Sequence, residues 1–160
     1  MARLSDLSLR YRLFMKTYRY RSVDWRPGSR LKVPISKARF ALVTTAAFHL
    51  SSQPGFDPSI KAGDSSYREI PTAVNFQDLR LGHRSDAFDP SGIELDPNLA
   101  LPIQRFTELA DEGEIGSLND LHISFMGSIT APGRLIKESA PAAARKLLED
   151  GVDAVFLTPV

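Results

Sequence analysis

Two short apolar runs joined by a helical stretch fix more of this chain's architecture than any other feature of it. Leu121-His122-Ile123-Ser124-Phe125-Met126 and Ala154-Val155-Phe156-Leu157 each have the length and composition of a covered strand. Between them, Thr130 and Pro132 mark a first helical start, and Ser139 with Pro141 a second that runs to Asp150 and stops at Gly151. Ala143, Leu147 and Leu148 supply its inner face. Strand, helix and strand in that order make a βαβ unit, which requires parallel strands and a right-handed crossover. Arg39-Phe40-Ala41-Leu42-Val43-Thr44-Thr45 is a third such run and reads as a central strand covered on both faces.

The expected fold is therefore α/β: an open, mostly parallel sheet of the Rossmann-like or flavodoxin-like three-layer kind. The strand over 153–159 reads as buried, and the sequence reaches Val160 at its carboxyl end. That edge is where open α/β sheets bind ligands. The sheet is expected to be incomplete at the C-terminus, with a face or edge uncovered, which favours aggregation or dimer formation.

Charge divides the chain into a basic arm over 1–38 and an α/β domain over 39–160. Residues 1–39 carry eleven Lys and Arg against Asp6 and Asp24, a local balance of +9, so the remainder carries −8. Leu4, Leu7, Tyr11, Phe14 and Tyr18 repeat every three or four residues, one face of a helix capped near Ser5 or Asp6. Such a helix either packs its stripe on the acidic body or docks on an anionic partner. Nucleic acid is disfavoured because no RNA-binding motif follows. Pro27, Gly28 and Pro34 make 22–38 a linker.

The chain has no cysteine, so disulfides, thiolate metal sites and thiol nucleophiles are excluded within these residues. No apolar run approaches the ~20 residues of a bilayer span, and Arg10, Arg12 and Lys16 break up any signal-like segment. A cytoplasmic location is the expectation.

From Ser51 to Asn98 the pattern is irregular and rich in Pro and Gly, yet Phe56, Tyr67, Phe76 and Phe88 argue for an ordered cap over the sheet edge. Pro102 then opens a helix to about Glu112, with Gly113 as its stop. The candidate chemistry lies in this middle region. Gly63-Asp64-Ser65-Ser66-Tyr67-Arg68 could form an anion nest or a plain polar turn; it is not a P-loop. His83, Asp86 and Asp89, with Asp96 and Asn98 downstream, could serve acid–base chemistry or a metal, but Gly82, Pro90 and Gly92 favour turns, and no metal site is assigned. His49 lies just past the first strand, where position favours function; His122, inside a strand, reads as structural. Neither a nucleophile elbow nor a dinucleotide fingerprint is present.

Several stretches, in order, resemble the selenoprotein B family of the glycine, sarcosine, betaine and D-proline reductases. They are Ala41 to Ala46 with His49-Leu50, Gln53-Pro54 with Phe56-Asp57, Gly63 to Pro71, and His83 to Asp86 with Phe88-Asp89. Asp96-Pro97-Asn98, Glu108 to Ala110 with Glu112-Gly113, Ile115-Gly116, Ser124 to Gly127, and Glu149 to Ala154 with Leu157 to Val160 follow. The likeness runs from about residue 37 to the end.

The resemblance implies an oxidoreductase that breaks a carbon–nitrogen bond and returns its oxidised selenol or thiol with a dithiol donor. It places the redox residue, a selenocysteine or cysteine, after the strand matching 153–160. No cofactor is expected within the chain; selenocysteine is expected downstream. Selenocysteine is encoded by a codon that ordinary translation reads as stop, so such a residue at position 161 would end a conventional reading frame at Val160. The catalytic residue is thus unknown within the chain, with His83 and His49 as candidates for moving a proton. Thr44, Thr45, Gly127 and Ser128 are candidates for substrate binding, with Arg68 to hold a carboxylate bidentately. The implied partners are an amino acid or derivative and a dithiol donor protein, and oligomers are possible. The competing reading is a non-catalytic anion- or partner-binding α/β module.

Overall fold

Three strands form where the three apolar runs fall, and two of the helices close on glycines. The computed structural model describes residues 8–18, 24, 28–82 and 89–160. Those residues belong to two units, Met1–Arg30 and Leu31–Val160. In the first, α1 spans Leu9–Thr17 after Ser8, with Lys16 in its last turn, where the helix dipole favours a cation. Phe14 and Tyr18, one turn apart, bring their ring centroids to 5.7 Å. The cap expected at Ser5 or Asp6 lies outside the described residues.

The second unit is a mixed α/β fold with a curled, mostly parallel sheet. A 3-10 turn at Ile35–Lys37 leads into β1, Arg39–Thr44. The short β2, Phe48–Leu50, follows, then β3, Tyr67–Pro71, and β4, Leu79–Leu81. Helix α2 spans Ser91–Leu95 and α3 Ile103–Asp111. Strands β5, Ser117–Leu118, and β6, Leu121–Phe125, precede a π-turn at Leu135–Ser139 that runs into α4, Ala140–Glu149. Strand β7, Ala154–Thr158, ends the described chain but for two residues.

β1 is central, as its apolar run requires. β7 lies parallel along one edge of it, from Phe40 opposite Ala154 to Thr44 opposite Thr158. β5 and then β6 lie parallel along the other edge, and β3 closes that side antiparallel to β6. The register of this edge slips between β5 and β6: Phe40 faces Leu118, but Val43 faces Ile123. Two extra residues, Asn119 and Asp120, form a bulge there. The bulge takes the regular ladder partner away from the Leu42 amide, and the amide donates to His122 Nδ1 instead, at 3.2 Å. His122 Nε2 lies 3.1 Å from Thr72 Oγ1, whose own proton goes to the Asn119 carbonyl. The ring is therefore neutral with its proton on Nε2, and burial pushes its pKa down to about 4, against a smaller upward pull from Asp120. His122 is structural, as its place in a strand suggested.

Alternate β1 residues face opposite sides. Phe40 and Leu42 pack in a cluster with Ile103 and Phe106 of α3, and Ala41 and Val43 in another with Ala143 and Leu147 of α4. Burial of a side chain such as Phe106 contributes about 2 kcal/mol or more. Both helices end in the same motif. Gly113 and Gly151, each at φ 75°, donate to the carbonyls of Ala110 and Leu148, and the next residues, Glu114 and Val152, donate to Leu109 and Leu147. These are Schellman closures, which need a left-handed residue and explain both glycines.

Two expectations are corrected. The stretch over 51–98, expected as an irregular ordered cap, contains regular strands: it supplies β3 to the main sheet and β4, which pairs antiparallel with β2. β3 went unseen because an edge strand with one neighbour tolerates Arg68, Glu69 and a terminal Pro71. The strand over 153–159 is parallel but not buried: Val155, Phe156 and Leu157 are 41%, 44% and 67% exposed, because β7 pairs on one edge only. No described helix is long and apolar enough to cross a membrane.

Candidate functional site at the carboxyl edge of the sheet

Four polar residues line up across the sheet where its parallel strands end. Arg68 of β3 lies opposite Ser124 of β6, Ser124 opposite Thr44 of β1, and Thr44 opposite Thr158 of β7. Residues directly opposite share a face, so the row presents three hydroxyls and one guanidinium toward the α3 side. Thr44 and Ser124 are fully buried. Thr44 Oγ1 accepts the Ala46 amide at 3.1 Å, whereas Ser124 Oγ and Thr158 Oγ1 are buried without a hydrogen-bond partner. Buried hydroxyls are rarely left unpaired, and this pair flanks Thr44 on either side.

Thr45, one residue on, looks toward β7. Its amide donates to the Thr158 carbonyl at 3.2 Å. Its hydroxyl accepts the Val160 amide at 2.8 Å and reaches the Val160 carbonyl at 3.3 Å. The candidate substrate-binding hydroxyl of Thr45 is thus engaged by the chain's own backbone.

The motif from Gly63 to Arg68 forms a closed network. Burial works to raise the Asp64 pKa, but hydrogen bonds from Ser66 Oγ and from the amides of Asp57 and Ser66, with the charge of Arg68, hold it below the ordinary carboxylate value. The motif is thus a polar turn closed on its own carboxylate, with the Ser66 amide bonded two residues back. Arg68 donates through Nε to the Pro54 carbonyl at 2.7 Å and through Nη2 to Gly55 at 2.8 Å. Through Nη1 it donates to Ser66 Oγ and to the Tyr67 carbonyl, both at 2.9 Å. Its plane lies over the Phe56 ring, 4.4 Å from the centroid. Four of the five guanidinium N–H groups are taken, so a bidentate grip on a further carboxylate must displace one of these bonds.

Phe56 joins Arg68 to His49. The imidazole meets that ring edge-on at 6.3 Å, and its Nδ1 is buried without a partner. Gly55 and Gly82 crowd it: a Cβ on Gly82 would lie 3.5 Å from Nδ1, 3.1 Å from Phe56 and 3.2 Å from the Ala47 carbonyl. His83 and Asp86 lie outside the described residues, with His83 directly after Gly82 in sequence.

Backbone strain marks the same edge. Among the described residues, Ala47, after β1, and Ser128, after β6, are the non-glycine residues held at positive φ, 58° and 56°; such conformations persist where the surroundings enforce them. A bridge between Ala46 and Met126 and the Ala47 amide on the Phe125 carbonyl, 2.8 Å, do so for Ala47. Gly127 is buried and Ser128 exposed. Gly63 packs on Ile129, and the Thr130 amide donates to Ala62 at 3.0 Å, so the Gly63 turn and the loop carrying Gly127 and Ser128 are neighbours.

The structure thus gathers Thr44, Thr45, Arg68, His49, Gly127 and Ser128 at one sheet edge. Phe56 and Ala47 were missed: nothing in the sequence marks an aromatic platform for Arg68, and alanine is not a residue associated with left-handed backbone. Asp89 and Asp96 cap local turns, accepting the amides of Ser91 and Asn98. Among the described residues, no three His, Asp or Glu side chains gather as a metal site would require.

Residues 13–160 match the sequence profile of glycine/sarcosine/betaine reductase selenoprotein B. The chain is 37% identical over 118 residues to D-proline reductase subunit gamma of Acetoanaerobium sticklandii, covering 74% of this chain and 47% of that one. It is 30% identical over 129 residues to sarcosine reductase complex component B subunit beta of Peptoclostridium acidaminophilum, covering 78% and 28%. It is 29% identical over 124 residues to glycine reductase complex component B subunit gamma of Carboxydothermus hydrogenoformans, covering 78% and 28%. The chain therefore spans about half the length of the first of these relatives and less than a third of the others. No solved structure matches it. The arrangement at the strand ends sits within the matched residues, and the chain belongs to the glycine/sarcosine/betaine reductase selenoprotein B family.

Proposed function

We propose that this chain is the scaffold of a selenol- or thiol-based reductase whose reactive residue follows Val160. The observation that carries the reading is the hold of Thr45 on the Val160 backbone, 2.8 Å to its amide. It brings the onward chain to the carboxyl edge of the sheet, beside the hydroxyl row and the strained turns at Ala47 and Ser128. In a doubly wound arrangement the next element is a helix, whose N-terminus would lower the pKa of a selenol or thiol placed there and favour the anion.

The reaction is a two-electron cleavage of a carbon–nitrogen bond in an amino acid or derivative. Carbon and nitrogen each end with a new bond to hydrogen, and a dithiol donor protein becomes a disulfide. Gly127 and Ser128 are the candidates for the substrate side, the fully buried Thr44 braces the end of β1 through the Ala46 amide, and Thr45 holds the Val160 backbone. Arg68 supplies the positive charge that a substrate carboxylate would face. His49 and His83 are the groups to deliver the proton to the departing nitrogen. A cytoplasmic location, where thiols stay reduced, suits this chemistry.

The test uses protein produced from the gene's reading frame continued past Val160, with dithiothreitol as donor and glycine, sarcosine, betaine and D-proline as substrates. One amine per dithiol consumed is expected, released from glycine, sarcosine and betaine and retained on the ring-opened product of D-proline, and both are expected to vanish with serine at position 161. Equal activity of the serine form would overturn the proposal.

A further inference from the structure

We infer that Thr45 is a positioning residue: its hydroxyl takes over from the β-ladder where β1 ends and fixes the direction in which the chain leaves β7. The inference rests on the reading that the reactive residue follows Val160.

β1 stops pairing with β7 at Thr44 opposite Thr158. The Thr45 amide makes one more ladder bond, to the Thr158 carbonyl. Beyond that, β1 turns away. Ala46 bridges to Met126 on the β6 side, and Ala47 sits at φ 58° with its amide on the Phe125 carbonyl. No backbone of β1 is left to meet Val160. A side-chain hydroxyl can act as donor and acceptor at once, and that of Thr45 faces both polar groups of Val160, at 2.8 Å to N and 3.3 Å to O. One side chain therefore stands in for a missing ladder residue.

Among the described residues, that task falls to Thr45. Pro159, between Thr158 and Val160, has no amide to donate. Thr158 Oγ1 makes no hydrogen bond of its own. Val160 also packs partly against the cluster around Leu42, which anchors its side chain but not its peptide direction. Removing the Thr45 hydroxyl would free the Val160 peptide to rotate while leaving the core intact. A serine keeps the hydroxyl; a valine keeps the shape.

The experiment compares wild type, Thr45→Val and Thr45→Ser in two forms. In the 160-residue chain, amide hydrogen exchange at Val160 reads the hold directly. Thr45→Val is expected to lose most of that protection while Leu42 and Ile123 keep theirs, and Thr45→Ser to retain it; unchanged protection in Thr45→Val would overturn the inference. In the protein continued past Val160, a displacement of about 1 Å at the reacting atom costs ~100-fold in turnover. Thr45→Val is accordingly expected to lose kcat on that scale with KM little changed, and Thr45→Ser to stay close to wild type. A wild-type protein that turns over, with Thr45→Val equally fast, sinks the positioning role and leaves the reductase reading standing. A wild-type protein with no dithiol-dependent turnover sinks the reductase reading, and the exchange result alone then decides whether Thr45 holds Val160.

Discussion

The amide of Leu42 donates to Nδ1 of His122 across a bulge in the sheet, at 3.2 Å. The bond exists only while the ring is neutral at Nδ1, and burial holds the His122 pKa at about 4, below its ordinary 6.5. Between those values the unfolded chain binds a proton that the folded chain does not, so stability falls as pH drops from 6.5 toward 4. The full loss is on the order of 3 kcal/mol, from ~1.4 kcal/mol per pKa unit. Asp64 acts lower down. Its depressed pKa contributes stability above the ordinary 3.8 that is lost as pH falls through its folded value. Urea denaturation across pH 3–7 is expected to show these two losses in succession, with His122→Gln removing the upper one. A flat profile from pH 7 to 4 would contradict this account of the bulge.

Gly116 and Gly133 are expected to respond oppositely to alanine. A Cβ on Gly116 would run into the Lys37 carbonyl and lie 2.8 Å from the Ala38 nitrogen, because the chain entering β5 packs directly on that backbone. Gly116→Ala is expected to cost about 3 kcal/mol or more, since neither backbone can yield. Gly133 has nothing within 4 Å of such a Cβ, and Gly133→Ala is expected to be neutral or stabilising by about 0.5 kcal/mol. Thermal melts of both check the contrast.

Arg68→Lys is expected to behave much like Arg68→Ala. The fork of Arg68 joins Pro54, Gly55, Ser66 and Tyr67 while its plane covers Phe56. An ammonium keeps the charge but neither the geometry nor the stacking. Each variant is expected to lose about 2 kcal/mol, with proteolytic sensitivity appearing near Pro54 and Gly55. A lysine variant as stable as wild type would show that charge alone matters here.

The exposed side of β7 is expected to drive self-association of the 160-residue chain. Val155 and Leu157 share a groove of about 420 Å³ with Leu147 and Leu148 of α4, and Leu148 and Leu157 are 71% and 67% exposed. A strand with one neighbour and apolar residues on display is an invitation to pair. Concentration-dependent sedimentation is expected, with Leu157→Lys shifting the distribution toward monomer. A monomer at every concentration would contradict it.

What the sequence made legible follows from how each element is stabilised. β1, β6 and β7 owe their pattern to packing against helices, so their apolar runs were readable, as were α3 and α4 from their apolar spacing and closing glycines. β3, β2 and β4 owe theirs to ladder bonds at an edge or to a short antiparallel pairing of distant segments, and three to five residues with Arg and Glu carry no such pattern. Within the candidate site, the positions of Thr44, Thr45, Gly127 and Ser128 followed from strand ends. The tertiary partners did not: two of the carbonyls that hold Arg68, those of Gly55 and Pro54, lie thirteen and fourteen residues away in sequence. The bond between Thr45 and Val160 joins residues 115 apart. Such contacts depend on tertiary closure and leave no local trace.

The most direct test of the reductase account is mass spectrometry of native protein purified from its own source, after alkylation with iodoacetamide under reducing conditions. The account predicts a peptide containing Leu157-Thr158-Pro159-Val160 followed at once by an alkylated selenium- or sulfur-bearing residue. A peptide continuing past Val160 with neither element at the next position would contradict it.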